Sequence, residues 1–198
     1  MRRRSLLLLL AAAPAKAQVP ALLPAEQALP LLREGGLNIY MRHATTDRSQ
    51  VDTGRLGDRG GQRNLSPAGE AMARDLGAAM RRLGVPPAEV LTSEVFRAQD
   101  TARLAFGTAR IHPALIADDY TRRDARQDAA EISALLGERI RGGNRLMVGH
   151  IVPLGMILGR SLAQAEFPEG SLALFRPGDA GWRFLGIVPA EVLIAAAR

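Results

Sequence analysis

The chain has 198 residues, a formal charge of +6, no cysteine and three histidines, a length suited to one ordinary domain with a sizeable core. The lack of cysteine excludes disulfides, thiolate nucleophiles and cysteine-ligated metals, and three histidines supply a dedicated zinc site poorly. No basic stretch is interleaved with aromatic residues in the way that grips nucleic acid, so no nucleic-acid partner is expected.

In chain order, Arg2, Arg3 and Arg4 form a basic start, Ser5 to Ala13 a leucine-rich apolar run, and Ala15-Lys16-Ala17 an A-x-A cleavage pattern before Gln18. This pattern reads as an export signal over 1–17, which places the mature protein, 18–198, in the periplasm or outside the cell. The apolar run is too short to cross a bilayer, so no stable membrane insertion is expected once the signal is removed. Arg3-Arg4 before Ser5-Leu6-Leu7 also resembles a twin-arginine signal. Removal takes away four cations, Arg2, Arg3, Arg4 and Lys16, and leaves the mature chain near charge balance.

Gln18 to Gly35 reads as a leader in which Pro20, Pro24 and Pro30 limit regular structure, with a short helix over Ala28 to Arg33. Leu37 to Met41 is an apolar run that fits a buried strand, and Arg42-His43 follows at its end. Thr45 to Arg63, with Gly54, Gly57, Gly60 and Gly61, reads as a long loop of the kind that serves a site. Ser66-Pro67 then caps and opens a helix through Ala68 to Leu83, whose Met72, Leu76, Met80 and Leu83 form a core-facing stripe. Gly84-Val85-Pro86-Pro87 ends it.

Val90-Leu91-Thr92 reads as a second strand, Arg97 to Phe106 as a helix and Arg110 to His112 as a strand. Pro113 to Asp128 is irregular, a helix is expected over Ala129 to Arg141, and Leu146 to Val148 is a strand released at Gly149-His150. A short helix over Pro153 to Leu158 precedes two late strands, Ser171 to Arg176 and Trp182 to Val188, around a turn at Pro177 to Gly181. The alternation predicts an α/β fold, a three-layer α/β/α sandwich with a mostly parallel central sheet. In such sheets, side chains released at the carboxyl ends of strands line the ligand crevice, so His43, His150, Arg42 and Arg97 are brought to one rim. Together they suit an oxygen-rich dianion.

Arg42-His43-Ala44-Thr45, Arg63-Asn64-Leu65-Ser66-Pro67-Ala68-Gly69-Glu70, Arg97-Ala98-Gln99-Asp100-Thr101-Ala102 and Val148-Gly149-His150 resemble, in order and strand context, the motifs of the histidine phosphatase (phosphoglycerate mutase-like) superfamily. The resemblance spans Leu37 to about Val188, and the compact chain is similar to the short phosphatases of that family more than to its full-length mutases. It implies a phosphoglycerate mutase-like fold and a phosphoryl-transfer pocket in which His43 is the nucleophile and Arg42, Arg97 and His150 complete the phosphate-binding core, with no metal and no cofactor. The family usually shows glycine where this chain has Ala44.

The residue chemistry points the same way. A neutral imidazole carries an accessible lone pair near neutral pH and can form a covalent phosphoryl intermediate, while arginines stay charged and present planar forks to phosphate oxygens. Arg63 and Asn64 are candidates for contact with the phosphate or leaving group, although Asn64 could equally bond backbone around the Ser66 cap. His112, outside any motif, reads as structural. For the proton to the departing alcohol, Ile151-Val152-Pro153 lacks the His-Asp arrangement of acid phosphatases, so Glu94 is the first candidate and Asp118 and Asp119 the others.

The expected function is a phosphomonoesterase acting through phospho-His43 on a small phosphorylated metabolite or envelope component. The alternatives are a phosphoprotein phosphatase and a catalytically weak, phosphate-binding envelope protein.

Overall fold

Alternating strands and helices close into the expected three-layer α/β/α sandwich around one six-stranded sheet of order β3-β2-β4-β1-β5-β6. The computed structural model describes residues 21–85 and 87–198, so the export signal read over 1–17 lies outside the described residues. The strands are β1 (Asn38–Arg42), β2 (Pro87–Thr92), β3 (Arg110–Ile111), β4 (Asn144–Gly149), β5 (Leu172–Gly178) and β6 (Gly181–Val188). The first four pair in parallel, while β5 runs antiparallel to β1 and β6 antiparallel to β5.

Parallel strands covered on both faces are predominantly apolar; every residue of β1 is buried, with the polar Asn38 and Arg42 confined to its two ends. Its side chains alternate between two cores. Ile39 and Met41 pack with α1 (Ala25–Glu34), α2 (Pro67–Arg82), α3 (Phe96–Phe106) and α6 (Ala190–Ala196), whereas Tyr40 packs with α4 (Ala125–Gly137) and α5 (Ile151–Ile157). Each fully buried large apolar side chain contributes roughly 1.5–3 kcal/mol, and Ile39, Met41, Leu76, Met80, Phe167 and Phe175 are all completely enclosed.

Three elements differ from expectation by three residues or more. The helix expected over Ala129 to Arg141 is α4, four residues earlier at both ends. Asp124 caps it by accepting the Arg126 N–H at 2.8 Å, and the buried Asn38 amide donates to the carbonyls of Leu136 and Glu138 at 2.9 and 2.8 Å, which ends it at Gly137. The strand read from Val90 begins at Pro87, where a proline at the first strand position hides the signal. Helix α1 runs from Ala25 to Glu34 with Pro30 inside it, longer than the segment expected. Helix α6 was not anticipated; its Leu193 is buried in the first core.

Candidate active site

Sheet register alone brings the two histidines together. Arg42 pairs with Gly149 across β1 and β4, so His43 and His150 leave the sheet side by side, and the His43 N–H donates to the Gly149 carbonyl at 3.1 Å. Their ring centroids are 5.4 Å apart. Thr92 of β2 pairs with Val148, and the Ser93 N–H donates to the Val148 carbonyl at 3.0 Å, which sets Ser93 against the same strand tip. The Tyr40 hydroxyl clasps His150 from below, accepting its N–H at 2.9 Å and donating to its carbonyl at 3.0 Å. Position 149 must be glycine for this approach, because a Cβ there would overlap the Tyr40 hydroxyl.

The hydrogen bonds assign both imidazole tautomers. His43 Nδ1 lies 2.9 Å from the Ala44 carbonyl. A carbonyl only accepts, so Nδ1 carries the proton and Nε2 keeps its lone pair. The Ser93 hydroxyl accepts the Val95 N–H at 3.1 Å and lies 2.9 Å from His150 Nε2. Its one proton has that nitrogen as its partner, which leaves His150 as the Nδ1–H form with a free donor. Burial is the largest force pushing both imidazoles well below their ordinary pKa; the charges of Arg97, Arg42 and Arg63 push the same way, and at His43 the Ala44 carbonyl opposes them. Both rings are neutral at neutral pH.

Arg42, buried, is locked by its Nη1 donating to the Phe167 carbonyl and its Nη2 to Gln164 Oε1, both at 2.6 Å, with the Glu169 carboxylate 3.7 Å away. Arg97, also buried, comes from the first turn of α3, whose leading Phe96 N–H is capped by the Gln62 side chain at 3.0 Å. Thr101 joins α3 to the strand tip, its hydroxyl donating to the Arg97 carbonyl at 2.7 Å and accepting the Ala44 N–H at 2.9 Å. The Ala44 methyl packs with Leu65 and Ala73 in a small core cluster, so the departure from glycine is absorbed by packing.

Arg63 lies close enough that its charge acts on both histidines and on Arg42. Asn64 is committed elsewhere: its amide donates to Gln50 Oε1 and to the carbonyls of Arg59 and Gln62, which organises the glycine-rich loop. Its bonds do not go to the Ser66 cap; Ser66 accepts the Gly69 N–H at 3.1 Å. Glu94 is exposed and its carboxylate makes no hydrogen bond among the described residues. Asp118 and Asp119 are exposed as well. The Asp119 carboxyl is pushed above the ordinary aspartate range, chiefly by desolvation, with Asp52 and Asp118 adding and Arg97 opposing. His112 lies 3.8 Å from Glu131.

Sequence reasoning missed Asp52. Its carboxylate accepts from Arg97 Nη1 at 3.0 and 3.2 Å, from the Tyr120 hydroxyl at 2.6 Å and from the Arg63 N–H at 2.9 Å. The signal available was one acid in an arginine-rich, glycine-rich loop, which does not reveal its partner. Among the described residues no group of three His, Cys, Asp or Glu side chains is placed to hold a metal ion.

Eight buried side-chain polar atoms among the described residues lack a hydrogen-bond partner, and four of them are Arg42 Nε, Arg63 Nε, Arg97 Nε and His150 Nδ1. Bare buried donors are costly, and here they come from the residues around the His43 lone pair. A tetrahedral oxyanion offers the acceptors these donors need.

Residues 39–120 match the sequence profile of the histidine phosphatase superfamily (branch 1). The chain finds no match among curated protein sequences. Among solved structures it is similar to the protein histidine phosphatase SixA complexed with tungstate, at 18% identity and a TM-score of 0.58 over 79% of this chain and 99% of that one. A phosphoserine phosphatase mutant from Entamoeba histolytica in complex with phosphoserine gives 12% identity and a TM-score of 0.59, covering 79% and 98%. The product of open reading frame Rv3214 from Mycobacterium tuberculosis gives 15% identity and 0.55, covering 78% and 98%. At these identities the likeness speaks for the shared fold.

Proposed function

We propose that this member of the histidine phosphatase superfamily is a phosphomonoesterase that works through phospho-His43 and needs no metal. The observation that carries the reading is the set of bare buried donors on Arg42, Arg63, Arg97 and His150 around a neutral imidazole whose Nδ1 proton is fixed by the Ala44 carbonyl. Nε2 of His43 attacks phosphorus in line and forms an N–P bond as the bond from phosphorus to the ester oxygen breaks. The arginines and the His150 Nδ1–H bear the charge on the three equatorial oxygens.

Asp119 is the best-supported proton donor to the leaving alcohol, because its raised pKa keeps the acid form present nearer neutral pH. Its carboxylate then takes a proton from the water that attacks phospho-His43, which releases inorganic phosphate and restores the imidazole. Glu94 is exposed, as Asp119 is, and the leaving-group dependence of Asp119→Asn and Glu94→Gln distinguishes them.

The substrate is a small phosphate ester, and the 1–17 export signal favours one met in the periplasm or outside the cell, an envelope component included. Amino-terminal sequencing of the secreted protein is expected to start at Gln18. Rapid quenching with an ester labelled in its phosphoryl group is expected to trap acid-labile, base-stable label on the wild type and none on His43→Ala. Near-wild-type hydrolysis by His43→Ala would sink the assignment, and absence of both label and phosphate release across a broad ester panel would leave an anion-binding protein.

A further inference from the structure

Asp52 stands on the long loop between Thr45 and Arg63, yet it is the most heavily bonded carboxylate near the site. Three donors bond it, and the Arg63 guanidinium lies nearby. Its Oδ1 accepts from the Tyr120 hydroxyl at 2.6 Å, the Arg63 N–H at 2.9 Å and Arg97 Nη1 at 3.0 Å; its Oδ2 lies 3.2 Å from the same Nη1 and 3.9 Å from Arg63 Nε. Only 15% of the side chain is exposed.

We infer that Asp52 is the positioning residue of the anion site, holding Arg97 by its Nη1 so that the opposite edge of the guanidinium, Nε and Nη2, faces the reacting phosphoryl group. The assignment rests on the phosphatase reading given above.

Three features favour positioning over the rival possibility, that Asp52 is a carboxylate plug seated where phosphate belongs. A guanidinium presents its donors in a rigid planar fork, and Asp52 touches Nη1 alone, while Nε is buried and bare and Nη2 makes no hydrogen bond among the described residues. A two-pronged edge therefore stays without a hydrogen-bond partner among the described residues, the edge through which a guanidinium binds phosphate. Second, Asp52 is itself pinned by groups other than Arg97: the Tyr120 hydroxyl and the Arg63 main chain. Its bond to the Arg63 N–H also fixes the residue whose side chain supplies another bare donor. Third, Asp52 is outnumbered by two cations, Arg97 and Arg63, so the cluster keeps a net positive charge toward an anion. In this arrangement the glycine-rich loop is a strut, carrying an acid from the far side of the strand tip to set an arginine on α3.

Residues that act through one another show non-additive losses, which supplies a readout that a merely structural role would not move. Orthovanadate, a mimic of the five-coordinate phosphoryl group, is titrated calorimetrically into wild type, Asp52→Asn, Arg97→Ala and the double variant, each checked by thermal melting. Arg97→Ala is expected to weaken vanadate binding about 100-fold, Asp52→Asn about tenfold, and the double variant no more than about threefold beyond Arg97→Ala. Tyr120→Phe, which loosens the same anchor without removing charge, is expected to cost about threefold in the wild-type background and nothing measurable with Arg97 absent.

Additive losses in the double variant, or no loss in Asp52→Asn, would overturn the assignment. Tighter vanadate binding by Asp52→Asn would also overturn it, and would identify the plug. Coupled vanadate losses in a wild-type protein that releases no phosphate from any ester would sink the phosphatase reading while the role of Asp52 stands. A wild type that binds no vanadate would remove both.

Discussion

The relay from Val95 through Ser93 to His150 fixes one proton. With the Val95 N–H donating into the Ser93 oxygen and the Ser93 proton directed to His150 Nε2, the second histidine is held as a donor through Nδ1. Replacing Ser93 by alanine removes the constraint while leaving the strand pairing intact. The expected result is a loss of about tenfold in kcat with little change in melting temperature, checked by steady-state kinetics against thermal melts. Asp119 is tested by leaving-group chemistry. Asp119→Asn is expected to slow the phosphorylation of His43, read in single turnover, about 100-fold for alkyl phosphates and less than about threefold for a nitrophenyl ester, whose phenolate departs without a proton. If Glu94→Gln shows that selectivity instead, the donor is Glu94. His43, Arg42, Arg97 and His150 were legible in the sequence because each follows or faces a strand tip whose apolar run is unmistakable. Their partners were not: the Ala44 carbonyl, the Ser93 hydroxyl and the Asp52 carboxylate are selected by distances that only the folded sheet defines.

At the scale of elements, the site depends on the register between β1 and β4, and Tyr40 is the rivet. Its hydroxyl makes two hydrogen bonds to the main chain of His150 through space that only a glycine at 149 leaves open. Gly149→Ala is expected to destabilise the protein by about 2–4 kcal/mol in urea unfolding, because a backbone-anchored phenol cannot retreat without losing those bonds. Tyr40→Phe should cost about 1–3 kcal/mol through the unpaired main-chain groups it leaves. The pair should cost only slightly less than the sum, since Tyr40→Phe removes the hydroxyl overlap but leaves ring Cζ 2.7 Å from the new methyl; a pair that costs no more than Tyr40→Phe alone would show that the ring does not constrain position 149. A second close approach, where a Cβ on Gly69 would overlap the Thr45 carbonyl, seats the start of α2 against the loop that follows His43. Strand and helix types were readable from periodicity and caps, as at Ser66-Pro67. Helix α4 was misplaced because its end is cut by Asn38, a residue about a hundred positions away that no local pattern announces.

Taken as a whole, the molecule carries two buried imidazoles beneath a cluster of arginines, and that arrangement couples stability to pH. An imidazole held neutral by the fold takes up a proton more readily once the chain unfolds, near its ordinary pKa of about 6.5, so acid favours the unfolded state. The contribution is fully present above about pH 6.5 and is lost as pH falls toward the depressed folded values of His43 and His150, with a limiting slope of about 1.4 kcal/mol per pH unit for each histidine. Asp52, whose pKa stays below the ordinary range because its hydrogen bonds and cations outweigh desolvation, remains ionised in folded and unfolded chains until pH approaches 4, and adds its own loss only there. Asp119 acts in the opposite sense: its raised pKa makes the folded chain take a proton first, which offsets part of the loss toward the acid end of the window. Urea unfolding between about pH 7.5 and about pH 5 should therefore show stability falling with acidification, with a slope roughly halved in His43→Ala. Saturating phosphate should raise stability by mass action and flatten the dependence, since its negative charge relieves the arginines' pressure on both rings. A wild type whose stability is flat across that interval would mean that the imidazoles are solvated and charge freely, and the neutral nucleophile would have to be abandoned with them.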